Sequence, residues 1–147
     1  MVHETLESYL AVLAGFRILK MSERHRGAIV SLGGRRRKVH SIANTGRIWK
    51  GSLSPEQIRA IFDPEADSHD LGVIIFDGKV LGVHCQFPMP KFDKKWDESI
   101  KRLGSRHRAA MGMSGFSNSE VLVLSEETGI ISLSRNGQLL PLPEFGV

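Results

Sequence analysis

At 147 residues the chain has the length of one ordinary domain, long enough to bury one substantial core and too short for two. Its 41% apolar and 24% charged residues exclude a disordered or fibrous polymer. The formal charge of +4 leaves an anionic partner open without requiring one. No apolar run, the longest being near Val73 to Phe76, approaches the roughly 20 residues of a bilayer-spanning helix. Glu4 and Glu7 precede the first apolar stretch, and there is no basic start of the kind a secretory signal needs. The lone cysteine, Cys85, can form neither an intramolecular disulfide nor a zinc site by itself, and its apolar flanks Val83 and Phe87 predict a buried thiol. The expectation is a single cytoplasmic domain over residues 1–147 that does not enter a membrane.

Residues from Glu4 to about Ser22 read as an amphipathic helix, with Leu6, Leu10, Leu13, Phe16, Ile18 and Leu19 recurring near the 3.6-residue period. Gly27 to Leu32 is a short β-branched run that ends in Gly33-Gly34, as a buried strand before a turn would. Val39 to Ile42 is expected to return as its partner strand, which leaves Arg35, Arg36, Arg37 and Lys38 as a solvated loop or hairpin tip. Ser54-Pro-Glu-Gln57 supplies an N-cap, a first-turn proline and a first-turn acid, so a helix should run from Pro55 to about Phe62.

Val73 to Phe76 and Val80 to Val83 flank Asp77-Gly78, a strong hairpin signal. Lys91 to Glu98 reads as loop or as the start of a helix reaching Ile100 and Leu103. Glu120 to Leu124 and Gly129 to Leu133 are two further strands, and Asn136-Gly137 turns the chain again. Strands interleaved with two to four helices predict an α/β fold, a mixed central β-sheet flanked by helices.

Three polar segments stand where strands end, the usual location of ligand sites in such sheets. They are Ser68-His-Asp-Leu-Gly72, Gly104-Ser-Arg-His-Arg-Ala-Ala-Met-Gly112 and Ser125-Glu-Glu-Thr-Gly129. Gly-Ser followed by Arg-His-Arg and then small residues has the character of a helix N-terminus. There, backbone N–H groups and guanidinium forks suit a polyphosphate.

The order His-Asp-x-Gly, then Gly-Ser-Arg-His-Arg-Ala-Ala, then Ser-Glu-Glu-Thr-Gly resembles the diadenylate cyclase domain family. The resemblance runs from about Arg26 to Leu140. It implies a diadenylate-cyclase-like fold that binds one ATP per protomer and pairs as a homodimer or higher homo-oligomer. The ribose 3′-hydroxyl of one ATP attacks the α-phosphate of the other, pyrophosphate leaves, and the reciprocal step closes cyclic di-AMP. It assigns catalysis to Asp70, Arg106, His107 and Arg108, with Asp70 assisting deprotonation of the hydroxyl and His107 ordering the motif. It places ATP against Leu71, Gly72, Phe87, Gly104, Ser105, Arg106, Arg108, Ser125 and Glu126. It gives Mn²⁺ or Mg²⁺ to His69, Asp70 and Glu127. Phe87 corresponds to a position that packs on adenine in the family, while an aromatic beside proline also reads simply as core.

The family pattern has Asp-Gly-Ala where this chain has Asp70-Leu71-Gly72. A residue with a β-carbon at a position needing left-handed geometry costs roughly 1 to 2 kcal/mol. This departure sustains a second reading, a non-catalytic nucleotide-binding or sensor domain on the same fold. A nucleic-acid module built on Arg35 to Lys38 is the weakest reading, because it leaves the carboxylate-rich segments without a task.

Overall fold

A computed structural model describes residues 1–22, 27–66, 71–90 and 104–142. Helix α1 (Leu6–Lys20) starts where the Thr5 side chain accepts the Ser8 N–H, and it buries Val12, Phe16 and Leu19 along one stripe. Strand β1 (Ala28–Leu32) is buried throughout. Helices α2 (Arg36–Ala43) and α3 (Pro55–Ile61) follow. The expected cap of α3 is present, the Gln57 N–H donating to Ser54 Oγ at 3.1 Å. Then come β2 (Gly72–Phe76), β3 (Lys79–Cys85), α4 (Ser105–Ser117), β4 (Glu120–Leu124), β5 (Ile131–Arg135) and β6 (Gln138–Pro141).

The strands form one sheet in the order β3-β2-β1-β4-β5-β6. Among the described strands only β1 and β2 run parallel, with Val30 opposite Val73, while β1 and β4 are antiparallel with Ala28 opposite Leu124. The fold is therefore mixed α/β, as the interleaving of elements implied. Alternation along the strands sends side chains to both faces. Val30, Leu32, Val73, Ile75, Leu122 and Leu124 pack with Phe16, Ile58 and Phe62 on the α1/α3 face. Ile29, Ile74, Phe76, Val121 and Val123 pack with Val39, Ala110 and Met113 on the α2/α4 face.

The segment expected to be a return strand is instead the helix α2. Val39, Ile42 and Ala43 are spaced i, i+3, i+4 and pack together on the sheet, a helical stripe that outweighs the β-branched character of two of them. Arg35 is the N-cap of α2 rather than a hairpin tip, and Arg36, Arg37 and Lys38 form its exposed first turn. Arg36 lies over the Phe76 ring at 5.0 Å and Lys38 over Phe116 at 5.1 Å. The strand expected from Gly129 begins only at Ile131, because Gly129 adopts φ +70° in the preceding turn.

Both predicted hairpin turns form. Asp77 and Gly78 have φ +55° and +74°, and Asn136 and Gly137 +53° and +79°, left-handed values that these residues accept. The N–H groups of Asp77 and Gly78 donate to the Glu4 carboxylate at 2.8 and 2.7 Å. At the sheet end where β4 starts, the Tyr9 hydroxyl donates to Glu120 Oε1 at 2.5 Å and Arg135 Nε to Oε2 at 2.9 Å. Burial pushes the Glu120 carboxyl up, but these hydrogen bonds and the Arg135 charge outweigh it and hold the group below its ordinary range. Burial and the same carboxylate push the Tyr9 phenol upward.

Candidate functional site

The register brings the start of β1, the start of β2 and the end of β4 to one edge of the sheet, and the three polar segments meet there as far as they are described. Gly72 opens β2, Ser105 opens α4, and Ser125 follows β4 directly. His69 and Asp70 lie outside the described residues.

Helix α4 begins at Gly104, whose backbone is extended and whose lack of a side chain leaves the helix without a side-chain cap. There is also no acidic residue in its first turn. Uncapped N–H groups and the positive end of the helix dipole lie at Ser105 and Arg106, an arrangement that favours an anion. The Arg106 stem runs past Gly27, where a Cβ would stand 2.9 Å from its Cδ, so glycine at the start of β1 makes room for this side chain. The Arg106 guanidinium reaches Glu126 Oε2 at 3.3 Å, with the two side chains 30% and 53% exposed. That exposure makes the pair worth little in itself and easily exchanged for a ligand oxyanion.

Two cavities adjoin Arg106. One, of about 690 Å³, is bordered by Leu71, Gly72, His84, Phe87, Met89 and Ser105 among others, and has the size of a small-molecule site. The other, of about 230 Å³, is lined by Gly104, His107, Ser125, Glu126 and Glu127 as well as Ser105 and Arg106. Burial first, and then the adjacent Arg106 charge, lower the His107 pKa against an opposing pull from Glu127, which keeps the imidazole neutral near pH 7. Ser125 has a structural task too, since its hydroxyl accepts the Thr128 N–H at 3.2 Å and so shapes the turn carrying both carboxylates.

Among the predicted residues, Leu71, Gly72, Phe87, Ser105 and Arg106 border the larger cavity, and Gly104, Ser105, Arg106, His107, Ser125, Glu126 and Glu127 the smaller. Arg108 borders neither and sits partly buried on α4. Phe87 is 8% exposed in the α2/α4 core, as its core reading expected, and it also borders the larger cavity. Leu71 has φ +66°, the left-handed conformation that glycine accepts without strain, and is 41% exposed at the cavity lip. Cys85 is buried as expected, and burial pushes its thiol up to about 12. The loop after β3 is held close against α4, because a Cβ on Gly112 would run into the Pro88 carbonyl.

Sequence reasoning missed His84. It lies in β3 at φ +59° where the pairing with β2 is irregular, four residues from Gly82 to Cys85 standing opposite three from Ile74 to Gly72. A β-bulge leaves no motif in the sequence, and a histidine between Val83 and Cys85 carries no signal of it.

Among the described residues no helix is long and apolar enough to cross a membrane. Residues 17–139 match the family described as "DisA bacterial checkpoint controller nucleotide-binding". The chain is 34% identical over 125 residues to the cyclic di-AMP synthase CdaS of Bacillus subtilis, covering 85% of this chain and 58% of that protein. It is also 34% identical over 119 residues to a diadenylate cyclase of Listeria monocytogenes, covering 81% and 42%. The chain thus spans about half the length of these relatives. In structure it resembles a double cysteine mutant of DacA from Staphylococcus aureus, with TM-score 0.77 and 26% identity over 95% of this chain and 91% of that one. A match running through all three polar segments and the strands that carry them places this chain in the DAC family, the nucleotide-binding domain family of the DisA bacterial checkpoint controller.

Proposed function

We propose that this chain is a diadenylate cyclase that condenses two ATP molecules, held by two protomers face to face, into cyclic di-AMP and two pyrophosphates. The observation that carries the reading is the uncapped N-terminus of α4, with Ser105 and Arg106 standing between a nucleoside-sized cavity and a smaller polar one. The triphosphate would lie at Ser105 and Arg106, where backbone donors and a guanidinium neutralise its charge. The base would occupy the larger cavity against Phe87. Gly104, Ser125 and Glu126 would border the phosphates, and Arg108 would act on the motif from α4. Neutral His107 would order the Arg-His-Arg segment rather than add a third positive charge.

Ring closure needs each 3′-hydroxyl in line with the partner's α-phosphate, so positioning supplies most of the acceleration. Asp70, next to the cavity-lining Leu71, would take the hydroxyl proton as the new P–O bond forms and pyrophosphate departs. Among the described residues no three ligating side chains cluster. Glu127 on the smaller cavity offers the carboxylate oxygens that Mn²⁺ or Mg²⁺ prefers, and His69 and Asp70 would complete the set. A bound divalent ion would neutralise phosphate charge. With no membrane-crossing helix among the described residues, a cytoplasmic protein is the companion proposal.

The test is incubation of the protein with ATP and either metal, followed by mass detection of cyclic di-AMP. Metal-dependent product, abolished in Asp70→Asn while ATP still binds, is the expected outcome. Leu71 favours a second reading: its left-handed backbone and its place on the cavity suit a domain that binds nucleotide without turnover. ATP binding with no product under either metal would select it.

A further inference from the structure

We infer that His84 recognises the edge of the bound base, accepting a hydrogen bond from the 6-amino group of adenine; the inference rests on the nucleotide-binding reading above. Three observations converge on this side chain. The first is the bulge. Val83 packs in the α1/α3 core and Cys85 in the α2/α4 core, although two residues so spaced on an unbroken strand would share a face. His84 is the extra residue that reverses the alternation, and bulges of this kind re-aim side chains beside functional sites. The second is the backbone, since φ +59° is strained for a histidine and persists only where the surroundings hold it.

The third is the imidazole itself. It borders the larger cavity, and its Nδ1 atom is buried with no hydrogen-bond partner among the described residues. A buried ring nitrogen without a partner is costly, and a ligand that supplies one recovers the loss. The neutral ring offers one donor and one acceptor, and among the described residues no partner at Nδ1 fixes which nitrogen carries the proton. The remaining polar groups on the cavity divide by position. Ser105 and Arg106 stand at the start of α4, whereas Gln86, an exposed residue, directly follows β3. What sets His84 apart from these three is its buried ring nitrogen, and one polar group so placed can decide which base a pocket accepts.

The test pairs a change in the protein with a change in the ligand. Binding of α,β-methylene ATP, which cannot release pyrophosphate, is compared by calorimetry with the same triphosphate carrying unsubstituted purine. His84→Gly suits the positive φ and keeps the fold, and His84→Asn, which also tolerates that backbone, is the second variant. Loss of the amino group is expected to weaken wild-type binding about tenfold, by the worth of one well-made hydrogen bond. In His84→Gly that penalty should fall to about twofold or less, with His84→Asn between. An unchanged penalty in both variants, with α,β-methylene ATP still bound by the wild type, overturns the role of His84 alone. Failure of the wild-type protein to bind either ligand overturns the nucleotide reading, and this inference with it.

Discussion

The Phe87 ring occupies the space that a side chain on Gly72 would need. An ideal Cβ at Gly72 would lie 2.6 and 2.7 Å from Phe87 Cε1 and Cε2, far inside contact distance. The methyl that Gly72 lacks, where the family pattern has Ala, is thus room that the Phe87 ring takes up. Gly72→Ala should destabilise the protein by about 1–3 kcal/mol, as overpacking does. Combined with Phe87→Leu it should cost less than the two single changes summed, with a coupling of about 0.5–3 kcal/mol. Chemical denaturation of the four proteins in the cycle measures this, and strict additivity would show that the ring moves aside freely.

Leu71 presents a different case, because its strain lies in the backbone and its side chain is 41% exposed. Replacing it with glycine removes a left-handed penalty of roughly 1–2 kcal/mol but loosens the unfolded chain by roughly 1 kcal/mol. Stability should therefore change by about 1 kcal/mol or less. The cavity lip should open, and the KM for ATP should fall. A melt together with initial rates reads both, and a large loss of stability would mean that Leu71 packs on a neighbour.

The Tyr9–Glu120–Arg135 group predicts how stability varies with pH at both extremes. The Glu120 pKa is lowered in the folded state, so its contribution is complete above the ordinary carboxylate value of 4.5 and is lost as pH falls through the lower folded value. The Tyr9 pKa is raised, so its contribution is complete below the ordinary phenol value of 10.0 and is lost as pH rises above it. Tyr9→Phe should flatten the alkaline limb and shrink the acidic one. Urea midpoints across pH would reveal whether it does.

Arg106→Ala should separate binding from folding. Its ion pair with Glu126 is exposed, and such pairs are worth about 0–1 kcal/mol, so the melting temperature should move little. If Arg106 holds phosphate, affinity for ATP should drop by about 1.5–3 kcal/mol, the worth of a charge-assisted hydrogen bond. Equal binding by mutant and wild type would remove the guanidinium from the site.

What the sequence made legible follows the range of each interaction. Asp77-Gly78 and Ser54-Pro55 were readable because turns and caps are decided by residues within four positions of one another. The meeting of Gly72, Ser105 and Ser125 at one edge was implied by the family resemblance rather than by spacing, since it depends on the order of strands in the sheet. Helix α2 was misread because Val39 and Ile42 have β-branched side chains and follow a glycine turn, while its own helical stripe is only three residues long. His84 was invisible because its position depends on a register slip between β2 and β3, which no local pattern announces.

The placement of Arg106 between two cavities gives the site a modular character. A nucleoside and a short phosphate chain would each fill one compartment without excluding the other. Adenosine and pyrophosphate should then bind together, each inhibiting ATP while leaving the other's affinity nearly unchanged. Joining them covalently adds the benefit of effective concentration, so the intact nucleotide should outbind either fragment by far more than their separate contacts suggest.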